Sequence, residues 1–74
     1  MAIDSRTKKL AKLIVHYFLK VKHDSNVIIS GSTEAEPFIL ALYQEVLEAG
    51  AHPVTRISLP GLGSIFYKYA KEHH

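Results

Sequence analysis

The run Val27-Ile28-Ile29 constrains this chain more than any other feature. Three β-branched residues in succession, with no apolar–polar alternation, read as a strand covered on both faces, and such strands belong mostly to parallel sheets. "NVIIS" at residues 26–30 is therefore expected as one strand, and "VTRISL" at residues 54–59, ended by "PGLG", as a second. Between them the helical period is clear. From Glu36 to Ala49, Phe38, Ile39, Leu42, Tyr43 and Val46 recur on an inward face, with Gln44, Glu45 and Glu48 outward. Gly50 suits the left-handed position that closes a helix, and Pro53 reinforces the stop. Two strands joined through a helix make a βαβ unit, almost always right-handed, with its helix packed on the sheet.

Helical patterns flank this unit. In residues 5–22, Leu10, Leu13, Ile14, Tyr17, Phe18 and Val21 form the stripe of an amphipathic helix, with Asp4 or Ser5 as its cap. Lys8, Lys9, Lys12, His16 and Lys20 fall mostly on the other side, and "HDSN" at residues 23–26 is a turn signal. In "SIFYKYAKEHH", Ile65, Phe66, Tyr69 and Ala70 share one face. The order is α-β-α-β-α, an α/β fold with a short parallel sheet flanked by helices.

That layout is incomplete by itself. A two-stranded parallel sheet is not stable alone and presents two open edges. The last helical pattern also has no Gly, Asn or Pro to end it. The expectation is a single α/β domain or fragment spanning 1–74, its sheet completed by missing chain or by a partner. His73 and His74 are either native or the start of an expression tag.

With 74 residues there is one small domain at most, and little room for a deep substrate cleft. Hydrophobic residues at 47% and charged residues at 22% describe a globular protein and not a disordered tail. A net charge of +2 does not by itself argue for nucleic acid. Without cysteine, neither a disulfide framework nor a thiolate metal site can form. The longest apolar runs, such as "FILAL", fall far short of the ~20 residues that span a bilayer. "MAIDSRTKK" lacks a signal-peptide core, so the expected location is the cytoplasm.

The turn "SGST" at residues 30–33, between a strand and a helix, is where a phosphate would be cradled. It has one glycine, and both G-x-G-x-x-G and the P-loop pattern are missing. Glu34 and Glu36 already supply negative charge to the helix start and would repel an anion. Thr33 and Glu36 have capping-box spacing, although Pro37 lets the start slide to Glu36. This turn is expected to connect and cap.

No other cluster carries chemistry. The lysines of the first helix lack interleaved aromatics and a following recognition helix, so they read as a solvated face. His16, His23 and His52 lie apart in sequence without ligand spacing, and Glu45 and Glu48 read as exposed charge. Ser30, Ser32 and Ser58 lack a nucleophile setting. Arg56 sits within a strand and is left without a role. The expected catalytic, cofactor-binding and metal-binding residues are therefore none.

The order of "ISGSTEAEP", "EAGAHPVTRIS" and "FYKYA", within a likeness running from about Lys9 to Tyr69, resembles the opening of the thermophilic metalloaminopeptidases, the family of aminopeptidase T and aminopeptidase S. The resemblance implies an N-terminal α/β domain of a cytoplasmic, usually dimeric exopeptidase. Such an enzyme removes N-terminal residues from peptides with two divalent metal ions, zinc, cobalt or similar. In that family the glutamate, histidine and aspartate ligands lie in a later part of a much longer chain, so none is carried onto these residues. The implied partners are the remainder of the parent chain, a second copy, and peptide substrate for the full enzyme, with neither nucleic acid nor membrane. The "KEHH" ending departs from the family's acidic or polar continuation. Two alternatives are a non-enzymatic dimerisation module and, below it, a phosphate- or nucleotide-binding half-domain.

Overall fold

A computed structural model describes residues 3–73, with side chains through residue 70; His74 and the His73 side chain lie outside the described part. The elements follow the expected order. Helix α1 spans Ser5–Lys12 and continues as a π-helical turn over Leu13–Phe18; β1 is Asn26–Ser32; a 3₁₀ turn covers Thr33–Ala35; α2 is Glu36–Glu48; β2 is His52–Ser58; and α3 is Leu62–His73. β1 and β2 pair in parallel from Asn26 opposite His52 to Ser32 opposite Ser58. Pro53, expected to reinforce the helix stop, lies inside β2, opposite Val27. Gly50 closes α2 at φ +77°, as its position suggests.

Both flanking helices of the core pack on one face of the sheet. Val15 from the π-helical turn, Ile29 from β1, Ile39 and Val46 from α2, and Ala51 form the buried cluster, with Val21, Val27, Leu42 and Ala49 packed against it. Gly31 belongs to this contact: a Cβ there would stand 2.9 Å from Ile39 Cδ1, so the missing side chain lets α2 lie close on the strand.

The structure departs from the sequence reading in several places. The opposite sheet face, expected to be covered, is bare: Ile28 is 56% exposed, and its register partner Val54 is exposed too. The apolar stripe of the first helix is largely in solvent, with Leu10, Leu13, Tyr17 and Phe18 exposed, while Ala11 and Val15 are buried. Ala41 on α2 is also buried, so α1 and α2 approach each other along faces that carry small residues. The helix also stops sooner than expected. Lys20 takes a left-handed φ of 50°, and the Val21 N–H donates to the Val15 carbonyl at 3.0 Å, turning Val21 into the core.

Helix α3 stands away from this body. Phe66 is 74% exposed, Ile65 and Tyr69 are also exposed, and only Ala70 of the expected face is half-buried. The radius of gyration is 15.6 Å, against about 11 Å for a compact domain of this length. With so small a core, each buried methyl counts. Val46→Ala is expected to cost about 2 kcal/mol, a large share of the stability of a chain this short. Urea unfolding followed by circular dichroism would show the loss as a lower midpoint.

Candidate functional site

Around the strand–helix turn, the backbone answers the phosphate question. The strand persists through Gly31 and Ser32, the latter at φ −109° and ψ 166°, so the chain stays extended where a cradle would curl. The Ser58 hydroxyl donates across the strands to the Gly31 carbonyl at 3.4 Å. The expected capping box does not form. Neither Ser32 nor Ala35 makes a side-chain cap bond, and Pro37, at the second position of α2, sets its start after the 3₁₀ turn. Proline lacks an N–H and fixes φ, which suits the first turn of a helix and no later one.

Charged groups meet at two other places. Glu45, read as an outward residue, is only 6% exposed. Its Oε1 lies 3.0 Å from Nε2 of His16, half-buried on the π-helical turn. A carboxylate only accepts, so Nε2 is the donor. The pair pins the first helix to α2 and satisfies a carboxylate that burial would otherwise penalise. The period of α2 misplaced Glu45 because α1 packs against the flank that Glu45 occupies, beside Ala41.

His23 and His52, placed in separate turns by the sequence reading, meet at one carboxylate. Asp24 Oδ2 lies 3.0 Å from His23 Nδ1, and its Oδ1 lies 3.4 Å from His52 Nε2. The parallel register brings this about, because His52 starts β2 beside Asn26, two residues after Asp24. All three side chains are well exposed, so these ion pairs add little to stability. Arg56 stands exposed on β2 opposite Ser30, on the bare face.

A groove of 320 Å³ lies between α2 and β2, with Ile39, Leu40, Tyr43 and Ile57 as its apolar walls and Thr33 and Glu36 also lining it. Among the described residues, neither the Ser32 nor the Thr33 hydroxyl of this groove is hydrogen-bonded to a base such as Glu36. Of the serines considered from sequence, Ser32 reaches the groove, whereas Ser30 lies on the bare sheet face and Ser58 is bonded across the strands.

A family model described as Thermophilic metalloprotease (M29) matches residues 3–74. The chain belongs to the thermophilic metalloproteases. No curated protein and no solved structure matches it. Membership implies metal dependence in the whole enzyme, but the donors described here do not fit a metal. Glu45 is engaged by His16, and Asp24 lies between two imidazoles. Among the described residues no three His, Cys, Asp or Glu side chains stand together so as to hold an ion. No metal step is assigned to these residues of the metalloprotease.

Two outcomes follow for this metalloprotease chain. His16→Ala leaves the buried Glu45 carboxylate without its partner and should cost about 1–3 kcal/mol, whereas Glu45→Gln, which keeps an acceptor for Nε2, should cost less; paired denaturation curves compare them. Titrating phosphate or a nucleotide to millimolar levels should leave the amide resonances of Gly31, Ser32 and Thr33 unmoved.

Proposed function

We propose that this chain is the N-terminal scaffold domain of a metal-dependent aminopeptidase that removes N-terminal residues from peptides. The observation that carries the reading is the family match across residues 3–74. It is supported by a sheet with one face covered and one bare, which is what a supporting domain presents to further polypeptide. In this reading the catalytic groups and the two divalent ions, zinc, cobalt or similar, belong to the remainder of a longer enzyme. There the ions would polarise the scissile carbonyl and generate hydroxide. The full enzyme would be a cytoplasmic homo-oligomer. Among the described residues no helix is long and apolar enough to cross a membrane.

A second reading rests on the open edges of the β1–β2 ribbon: an interaction module that completes its sheet with a second copy. Solution mass separates the two, since a stable dimer of the 74-residue chain at low micromolar concentration favours self-completion.

The purified chain, supplied with zinc or cobalt and an aminoacyl-arylamide, is expected to release no arylamine above the metal-only blank. Sustained metal-dependent turnover that copurifies with the chain would overturn the scaffold assignment.

A further inference from the structure

Among the apolar surfaces that the described residues leave unmatched, two lie on either side of one short linker. One is the groove between α2 and β2, walled by Ile39, Leu40, Tyr43 and Ile57. The other is the face of α3 made by Leu62, Ile65, Phe66 and Tyr69, all exposed and spaced i, i+3, i+4 and i+7. Only Leu59, Pro60 and Gly61 separate α3 from the end of β2.

We infer that α3 is a strap that closes over the groove between α2 and β2, and that the arrangement described above is its open form. The dimensions agree. A helix of 12 residues is about 18 Å long, and α2 with 13 residues is about 20 Å. Folded back from the end of β2, α3 would run alongside α2 with Leu62 near Ile57 and Tyr69 near Tyr43, within the 8–10 Å spacing of packed helices. The linker allows the swing. Gly61 has φ +94°, a backbone conformation that glycine adopts freely, and the space around it is open.

The bare sheet face is the competing surface within the same reach. There Ile28 and Val54 alternate with Asn26, Ser30 and Arg56, whose polar groups a greasy helix face would leave unpaired. The groove also has polar residues, Thr55 on β2 and Ser32, Thr33 and Glu36, but its exposed lining is mostly apolar, which favours the groove.

The chain has no cysteine, so a disulfide trap reads without background. Leu40→Cys with Phe66→Cys tests the groove, and Ile28→Cys with Phe66→Cys tests the bare face. In a glutathione buffer at low micromolar protein, the Leu40 pair is expected to form its intramolecular disulfide at least about tenfold faster, because docking raises the local thiol concentration. Equal rates, a faster Ile28 pair, or a disulfide joining two chains would each overturn the strap. On the unaltered chain, nuclear Overhauser contacts from the Phe66 ring to Leu40 methyls or the Tyr43 ring are expected. A Phe66 ring that shows contacts only within α3 would overturn it independently of the variants.

Discussion

Everything in this fold depends on one-sided burial. Ile29 on β1, Val46 and Ile39 on α2, and Val15 on the π-helical turn meet on a single face of a two-stranded parallel sheet. Parallel pairing forces a crossover, the crossover puts its helix on one face, and the first helix joins it there. Nothing among the described residues reaches the other face. A chain this short buries a small share of its apolar surface, so the placement of each buried group matters more than in a larger domain. Gly31 and the buried alanines Ala11 and Ala41 are part of the same economy of space, because missing atoms let backbones approach.

The polar contacts divide by burial, and burial decides what each is worth. His16 and Glu45 meet across two elements, 29 positions apart, with the carboxylate removed from water. A buried charge left alone is costly, so the pair specifies how the first helix sits on α2 even if its net contribution to stability is modest. Asp24 with His23 and His52 has comparable distances but stands in solvent, where screening and side-chain entropy remove most of the gain. Histidine paired with a carboxylate therefore serves as a pin in one place and as surface charge in the other. Neither arrangement supplies the donor set that metal chemistry requires, and membership of the metalloprotease family is informative about these residues chiefly as structure.

Much of the architecture was legible in local pattern. The unbroken Val27-Ile28-Ile29 run marked β1, the period from Glu36 marked α2, and Gly50 marked its end. The turn at residues 30–33 has a single glycine followed by Glu34 and Glu36, which is poor material for an anion cradle. Placements that required knowing a neighbour were not. The stripe from Leu10 to Val21 has the right period, yet the residues that bury are Ala11 and Val15, because α2 and a single strand cover only a narrow flank of the helix. Glu45 followed the outward side of α2 until α1 arrived over it.

The sequence by itself determined the order of elements, their approximate ends, the parallel class of the sheet, and the family to which the chain belongs, because periodicity, turn chemistry and motif order are local properties. Only the tertiary structure decided which face of each helix is buried, that His16 reaches Glu45, and that His23 and His52 share Asp24. Those outcomes depend on register and packing between segments far apart in the chain. No window of consecutive residues contains that information.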